Sequence, residues 1–268
     1  MSAVQSTLVM GILNITPDSF ADGGRHFELS NAVERAKEML KEGVDIIDVG
    51  GESTRPGSER ISSEEERNRV IPVITALKEL GAVISIDTTR SEIAKLAIDA
   101  GASYVNDISG GLSDSKMASV ISAHPQVQYI AMHWRGESKD MQSRAVYKNV
   151  VQEVREELEA RTDALIKAGV IPDQIILDPG IGFAKTSAHN WELLRQIDRL
   201  QLMGYPLLVG VSRKRFLGEL VGSPNPDDRD SATVALTTEL ARKGVWGVRT
   251  HSVKPHLDAI KVVKELFG

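Results

Sequence analysis

Residues 174–186 read QIILDPGIGFAKT, a short apolar run that ends in an aspartate and a Pro-Gly turn. A short apolar run bounded by turn residues is typical of a strand buried on both faces of a parallel sheet. Asp178 therefore stands where a buried strand ends. A carboxylate in that position either forms the turn or contacts a ligand, because burying it without a partner is costly.

The same pattern recurs along the chain. Seven further apolar runs are predicted to be strands: LVMGILNIT (8–16), DIIDVGG (45–51), VISIDTT (83–89), YVNDISG (104–110), YIAMHW (129–134), LLVGVSRK (207–214) and VWGVRTH (245–251). Most are nearly continuous in Val, Ile and Leu, as in parallel sheets that are covered on both faces. The chain is therefore predicted to contain eight buried strands.

Helical periodicity fills the segments between these runs. In SNAVERAKEMLKEG (30–43), one apolar stripe is formed by Ala32, Val33, Ala36, Met39 and Leu40. Ser62 and Glu65 have the spacing of a capping box at the start of another helix. Six helical segments end in glycine just before a strand, at Gly43, Gly81, Gly101, Gly169, Gly204 and Gly244, whereas Pro125 ends the segment before YIAMHW.

Strand, loop, helix and glycine, repeated eight times over 268 residues, predict an α/β fold of the (β/α)8 TIM barrel type. We expect residues 1–268 to form a single domain, because no linker or change in composition marks a second one. A doubly wound open sheet is the main alternative.

Composition narrows the functional classes. The net charge of −5 argues against nucleic acid as the main partner. The absence of cysteine excludes disulfides, thiolate catalysis and Cys-ligated metals. No apolar run approaches the roughly 20 residues that span a bilayer, and residues 1–7 do not resemble a signal peptide. We therefore expect a cytoplasmic protein that does not enter the membrane.

The polar residues that close the strands indicate where the site lies. In a barrel of this type the site is at the carboxyl ends of the strands, and these ends carry Asn14, Asp87, Asn106 with Asp107, His133, Asp178, Ser212 to Lys214, and Arg249 with His251. Taken singly, an Asp or Asn there could be an ordinary cap or turn residue. Lys214 could be a solvated loop residue, and His251 a satisfied surface histidine. Together, Asp and Asn side chains suit a heteroaromatic ring rich in N–H groups, such as a pterin or purine, and the cations of the last two strands suit a phosphate or diphosphate.

Two loops extend over the same mouth. NITPDSFADGG (14–24) follows the first strand and GGESTRPGS (50–58) follows the second. Both are polar and interrupted by Gly and Pro, so they are either ordinary connections or lids that exclude water during the reaction.

These motifs, taken together, resemble the dihydropteroate synthase family. The resemblance rests on MGILNITPDSFADGG (10–24), GGESTRPG (50–57), SIDT (85–88), VNDISGG (105–111), LDPGIGFAKT (177–186), VGVSRKRFLG (209–218) and RTH (249–251). It covers nearly the whole chain, and the segment from MHWRG to VYKNVV (132–151) resembles actinobacterial members. The family joins a dihydropterin methyl diphosphate to 4-aminobenzoate and releases diphosphate, as a step in folate biosynthesis.

The resemblance implies a pterin site. Asp178 is expected to bind the 2-amino and N3 edge of the ring, and Asn106 and Asp87 complete the ring contacts. Lys214 is expected to reach the polar edge of the pterin, and Arg249 to stack on its face.

The resemblance also implies a diphosphate end and a second substrate slot. Asn14 is expected to help hold Mg²⁺ on the diphosphate, whose oxygens Arg249 and His251 bind. The closing loops and the slot for 4-aminobenzoate are assigned to Phe20, Asp22, Thr54, Arg55, Pro56 and Phe183. Catalytic roles fall on Lys214, Arg249, His251, Asp22 and Arg55. A homodimer and inhibition by sulfonamides are further expectations from the family.

The chain departs from the family pattern at two positions. Arg215 follows Lys214 where several members carry Ser, which leaves open the group that binds the aminobenzoate carboxylate. Ser252 follows His251 where many have Asp, which leaves open what supports that histidine. Two other functions remain as alternatives: methyl transfer from a reduced folate to a corrinoid protein, and a non-catalytic pterin-binding copy.

Overall fold

The computed structural model describes residues 6–15, 25–52, 60–136 and 140–268. All eight predicted strands are present in this part of the chain. They are β1 (Leu8–Asn14), β2 (Ile46–Gly50), β3 (Ile84–Asp87), β4 (Tyr104–Asp107), β5 (Gln128–Met132), β6 (Ile175–Asp178), β7 (Leu208–Val209) and β8 (Gly247–Thr250).

The strands form one closed parallel barrel. Their order is β6-β5-β4-β3-β2-β1-β8-β7, so strands that are adjacent in sequence are adjacent in the sheet. A parallel bridge between Leu177 and Leu207 joins β6 to β7 and closes the ring. The barrel prediction is therefore confirmed, and the doubly wound alternative is wrong because its strand order would reverse in the middle of the sheet.

Ten helices surround the described strands. They are α1 (Arg25–Glu42), α2 (Ser63–Glu79), α3 (Ser91–Ala100), α4 (Met117–Ser122), α5 (Val150–Lys167), α6 (Ser187–Arg195), α7 (Ile197–Gln201), α8 (Arg215–Val221), α9 (Asp230–Arg242) and α10 (Lys254–Phe267). Short 3-10 turns lie at Met141–Arg144, Pro172–Gln174 and Asp227–Arg229. Within the described ranges, no helix combines the length and the apolar character needed to cross a membrane.

The predicted helix ends are confirmed. All six glycines expected after helices have a positive φ, between 70° and 120°, which glycine adopts at little cost. Where the chain lacks such a glycine, before β5, the amide of Gln174 instead donates to the carbonyls of Ile121, His124 and Val127. Only half of the predicted capping box is formed: the Ser62 hydroxyl accepts from the Glu65 N–H, while the Glu65 carboxylate pairs with Arg69.

Two apolar cores hold the barrel. The larger core lies between the sheet and the helices and includes Val9, Ile47, Ile86, Val105 and Leu177. The smaller core comprises Met10, Ile46, Ile130, Ile176 and Leu208, which alternate along their strands with residues of the larger core. Because successive side chains of a strand point to opposite faces, this second set fills the interior of the barrel.

Candidate active site

The alternation of the strands places the polar site directly above the inner core. Asp48, Asn106 and Asp178 each lie two residues after an inner-core residue of the same strand, namely Ile46, Tyr104 and Ile176. Each polar residue therefore lies on the same face of its strand as that core residue. These three side chains are buried. Asn14 follows Met10 by four residues and therefore also belongs to the inner face of β1. Asn14, Asn106 and Asp178 thus converge on one layer, whereas Asp107, also expected at the mouth, points to the other face of β4 and accepts from the Tyr129 hydroxyl.

The Arg249 guanidinium links two carboxylates of this layer. Its Nε donates to Asp48 Oδ2 at 2.6 Å, and its Nη2 donates to Asp87 Oδ2 at 2.7 Å. Burial raises the pKa of Asp87 to about 7, and the guanidinium opposes that rise. The two carboxylates in turn raise the pKa of Arg249, against its own burial. The guanidinium is therefore fixed in place by charge pairs from two different strands.

Asp48 also orients Asn106. The Asn106 Nδ2 donates to Asp48 Oδ2 at 3.0 Å, and a carboxylate that already accepts from Arg249 can only accept from the amide. The Asn106 amide nitrogen is therefore committed to Asp48. Its oxygen remains as an acceptor for an N–H group of a ligand. Sequence reasoning missed Asp48, although a carboxylate inside an apolar run was a visible signal.

Asp178 has one oxygen in a turn. Its Oδ1 accepts from the Gly180 N–H at 2.7 Å, so the turn interpretation is correct for this oxygen. Burial raises the pKa of the Asp178 carboxyl, whereas Lys214 and the Gly180 N–H oppose the rise. Gly180 has φ of 66°, and a Cβ there would stand 2.6 Å from the His133 carbonyl oxygen. The turn thus needs glycine, and its N–H helps Asp178 to remain ionised.

Lys214 reaches the mouth from the loop after β7. Its Nζ donates to the Ile181 carbonyl and lies 4.8 Å from the centroid of the Phe183 ring. Burial lowers the pKa of Lys214 to about 8, although Asp178 favours the charged form. A Cβ on Gly182 would come within 2.9 Å of the Lys214 Cδ. The glycine therefore allows the lysine to lie along the 178–185 loop.

The same loop contacts a chain of polar side chains formed by the buried residues Lys185 and His133 and the partly exposed Glu157, of which the sequence placed only His133 at the strand ends. The Lys185 Nζ lies 3.0 Å from His133 Nδ1 and donates to the Phe183 carbonyl at 3.1 Å. The other ring nitrogen of His133 lies 3.0 Å from a Glu157 oxygen. Burial lowers the pKa of Lys185 to about 7 and that of His133 to about 4. This chain holds the loop against the carboxyl end of β5.

The last strands present His251 and its neighbours. The His251 Nδ1 lies 2.9 Å from the Ser212 hydroxyl, which also accepts from the His251 backbone N–H at 3.2 Å. The question that the sequence left open at Ser252 is answered here, because Ser212 supports the histidine. The Arg215 side chain is 91% exposed and pairs with Glu219 on α8, so it lies away from the barrel interior.

Two of the remaining predicted residues, Asn14 and Phe183, lie in the described part of the chain. Asn14 is the last residue of β1. Its Oδ1 lies 3.5 Å, and the Asp87 Oδ2 lies 3.8 Å, from the position that a Cβ atom on Gly50 would occupy, so both oxygens lie close to that glycine. Phe183 lies half-buried beside Lys214. The residues expected on the two loops, Phe20, Asp22, Thr54, Arg55 and Pro56, lie outside the described residues.

We expect Lys185→Met to change how stability depends on pH. The native amine is neutral above its pKa of about 7, whereas the unfolded amine keeps its proton up to its ordinary value of 10.5. Since the unfolded state binds the extra proton in this window, the wild type gains stability as pH rises through it. Urea unfolding from pH 7 to about 9 should show the wild type gaining stability relative to Lys185→Met.

The matched control is Lys95→Met, which removes an exposed lysine that pairs with Asp99 on α3. The difference between this variant and the wild type should change little over the same range. A Lys185→Met difference that is equally flat would contradict a neutral native amine.

Comparison with known proteins agrees with this geometry. The profile of the family described as pterin binding enzyme matches residues 10–251. The dihydropteroate synthase of Mycobacterium leprae is 45% identical over 95% of this chain and 92% of its own length. That of Synechocystis is 47% identical over 97% of this chain and 90% of its own length.

Solved structures give the same result. The Clostridium difficile dihydropteroate synthase, determined in the presence of pteroic acid, has a TM-score of 0.92 and 38% identity and covers 100% of this chain and 99% of its own. The Xanthomonas albilineans dihydropteroate synthase with 4-aminobenzoic acid has a TM-score of 0.91 and 37% identity, covering 98% and 94%. The chain therefore belongs to the pterin-binding enzyme family and, within it, to the dihydropteroate synthases.

Proposed function

We propose that the polar layer at the barrel mouth is the reaction site for the synthesis of dihydropteroate from a dihydropterin methyl diphosphate and 4-aminobenzoate. The observation that carries this assignment is the buried group of Asp178, Asn106 and Asp87, which faces the cations Lys214 and Arg249. Family membership supports the assignment of the reaction, and the geometry of the polar layer supports the assignment of its location to the barrel mouth. The two alternative functions are not favoured, because the relatives that match over nearly the full chain are dihydropteroate synthases.

The pterin ring would lie against the inner face of β4 and β6. The Asp178 carboxylate can accept from two ring N–H groups, because only one of its oxygens receives the Gly180 N–H and each oxygen has further acceptor capacity. The Asn106 oxygen, freed by the bond between its amide nitrogen and Asp48, accepts a third N–H group. Lys214 supplies the matching donor at the polar edge of the ring. A ligand that lacks one of these groups would leave a buried partner unpaired, which costs about 1–3 kcal/mol.

The pterin also stabilises the charge of Asp178. In the free site, burial opposes ionisation of this carboxyl, and its pKa is raised. Two N–H donors from the ring favour the charged form and so offset the desolvation. Ligand recognition and carboxylate ionisation are thus coupled at this residue.

The chemistry requires help at the leaving group. The bond between the methylene carbon and the diphosphate oxygen breaks, and its electron pair leaves with the diphosphate. The amine nitrogen of 4-aminobenzoate then bonds to the methylene and loses a proton. Arg249 and His251 would bind the leaving oxygens, which acquire negative charge as the bond breaks. No nucleophilic side chain is needed.

Mg²⁺ suits the same end of the site. The Asn14 amide oxygen is a hard ligand beside Asp87. The described residues contain no cluster of three or more His, Asp or Glu that could hold a metal by themselves. This donor set fits Mg²⁺, which is usually held by few protein oxygens together with the phosphates of the substrate. When bound, the ion would neutralise negative charge on the departing diphosphate.

The 4-aminobenzoate slot is assigned to Phe183 together with Pro56, Thr54 and Arg55, and Phe20 and Asp22 would complete the closure. Phe183 lies beside Lys214, on the rim of the layer that would hold the ring. The related structures determined with pteroic acid and with 4-aminobenzoic acid support the binding of both the pterin part and the aminobenzoate part in a barrel of this fold. The cytoplasm stays the compartment predicted from the sequence.

Asp178→Asn should lower the affinity for the pterin substrate at least about tenfold, because an amide donor would face ring N–H groups. The asparagine oxygen can keep the bond to the Gly180 N–H, so the fold should persist. Calorimetric titration with the dihydropterin, beside Asp173→Asn as an exposed control, measures the change. Equal affinity in Asp178→Asn and wild type would place the ring elsewhere.

Incubation of the purified protein with both substrates and Mg²⁺ should yield dihydropteroate and diphosphate in equal amounts. Sulfonamides should inhibit in competition with 4-aminobenzoate, so that excess 4-aminobenzoate restores the rate. Diphosphate release without dihydropteroate would show hydrolysis in place of condensation. Inhibition that does not respond to the concentration of 4-aminobenzoate would argue against a shared slot.

We also propose that the chain forms a homodimer. The exposed large apolar side chains on α10, Val262, Leu266 and Phe267, are 54%, 67% and 58% exposed, and the first two lie one turn apart on the same helix face. Light scattering should give twice the chain mass of 29.2 kDa. Leu266→Glu should shift the equilibrium towards the monomer, whereas a monomeric wild type would contradict the proposal.

A further inference from the structure

Four consecutive backbone carbonyls in the loop after β6 each accept a hydrogen bond from a side chain. The carbonyls of Ile181, Gly182, Phe183 and Ala184 accept, in this order, from Lys214, Gln142, Lys185 and Tyr147. Two of these donors, Gln142 and Tyr147, belong to residues 140–149, which lie between β5 and α5 and which we call the β5–α5 segment. This segment has no part in the reaction described above, yet it holds the backbone that carries Phe183.

Tyr147 makes the better protected of the two bonds from this segment. Its hydroxyl donates to the Ala184 carbonyl at 3.0 Å, whereas the amide of the exposed Gln142 donates to the Gly182 carbonyl at 3.2 Å. Burial raises the pKa of Tyr147 to about 12, so at neutral pH the hydroxyl keeps the proton that it donates. A hydrogen bond that is partly shielded from water is also electrostatically stronger than one at the surface. Tyr147 therefore makes the stronger of the two contacts with the loop.

The Tyr147 ring is fixed by its own neighbours. The Arg135 Cζ lies 3.9 Å from the centroid of the tyrosine ring, and the Arg135 Nη1 donates to the Val146 carbonyl at 2.6 Å. Arg135 is itself paired with Glu153 on α5 at 2.9 Å. In addition, the His189 ring on α6 packs edge-on against the tyrosine ring, with 5.0 Å between the ring centroids. The hydroxyl is thus presented from a fixed position, and loss of the hydroxyl alone would leave these ring contacts in place.

The bond from Tyr147 restrains a backbone position that is unfavourable by itself. Ala184 has φ of 48°, in the left-handed region that residues with a Cβ avoid. Its carbonyl precedes Lys185, whose buried Nζ is fixed by His133 and by the Phe183 carbonyl. Without the Tyr147 hydroxyl, Ala184 would be freer to rotate towards the favoured regions. Because Lys185 is fixed, that rotation would turn Phe183.

We propose that Tyr147 is a positioning residue for Phe183: it holds the Ala184 carbonyl and thereby keeps the Phe183 ring on the wall of the 4-aminobenzoate slot. The use of that ring as a wall rests on the proposed function, whereas the hold on the loop does not. The pterin contacts should depend on Tyr147 much less, because Asp178 is held independently by the Gly180 N–H.

Tyr147→Phe removes the hydroxyl and keeps the ring. The KM for 4-aminobenzoate should rise about threefold to tenfold, the scale of one net hydrogen bond, while kcat and the KM for the dihydropterin substrate each change less than about twofold. Tyr104→Phe is the matched control, because Tyr104 begins β4 at the opposite end of the barrel, and it should leave all three constants unchanged. A general loss of stability would lower the amount of active enzyme, and hence kcat, without a selective effect on this KM.

Hydrogen exchange tests the hold on the loop in the free protein, without substrate. The N–H groups of Gly182 and Phe183 are both hydrogen-bonded, at 2.8 and 3.0 Å, so their exchange with deuterium, followed by NMR, requires the loop to open. In Tyr147→Phe both should exchange about threefold to tenfold faster, because opening no longer breaks the Tyr147 bond. The Leu177 N–H, which is bonded at 2.9 Å within the barrel, should exchange at the wild-type rate.

A double-mutant cycle tests whether Tyr147 acts through Phe183. Phe183→Ala removes the positioned ring, and kcat/KM for 4-aminobenzoate can still be measured below saturation. Tyr147→Phe should lower this ratio in the wild-type background and have no further effect in Phe183→Ala. Equal effects in both backgrounds would overturn the proposal.

The outcomes separate this inference from the proposed function. Unchanged exchange at Gly182 and Phe183 in Tyr147→Phe would overturn the inference whatever the reaction is. Faster exchange together with an unchanged KM for 4-aminobenzoate would likewise overturn it, while the synthase reaction would stand. A wild-type protein that forms no dihydropteroate would instead contradict the proposed function, and the exchange rates would still decide whether Tyr147 holds the loop.

Discussion

The ion pairs of Arg249 with Asp48 and Asp87 are the interaction on which the site depends. Three strands, β2, β3 and β8, contribute one charged group each, and all three groups lie above the inner apolar core. Removing the guanidinium would leave two carboxylates in the barrel interior without compensation, which typically costs several kcal/mol. Asn106 depends on the same pairs, because Asp48 orients its amide. A single cation thus sets the positions of several acceptors around it.

The fold could be predicted from the sequence because its signals are local. Buried parallel strands appear as apolar runs, and glycines such as Gly101 and Gly244 mark the helix ends by a backbone conformation that needs no neighbour. The carboxyl ends of the strands could also be located from the ends of the apolar runs, together with the polar residues that close them. Asn106 and Asp178 were found in this way.

The rest of the site depends on contacts between segments that are distant in sequence. Lys185 lies beside His133 although 52 residues separate them, and nothing near either residue indicates the pairing. Ser212 and His251 were both expected at the mouth because they close neighbouring strands, but the hydrogen bond between them was not predicted. Asp48 was different, because a carboxylate in the middle of an apolar run signals a buried partner. The sequence could therefore have indicated a charge pair there, but not that its partner is Arg249.

The loop that begins at Asp178 contains three backbone positions in the left-handed region within five residues: Gly180, Gly182 and Ala184, with φ of 66°, 84° and 48°. A Cβ at either glycine would meet the His133 carbonyl oxygen or the Lys214 side chain, and alanine already has the smallest side chain that carries a Cβ. Random mutation can therefore find few acceptable replacements at these positions. Substitutions that alter substrate preference are therefore more acceptable at residues such as Phe183, which lies between these positions, than at Gly180, Gly182 or Ala184.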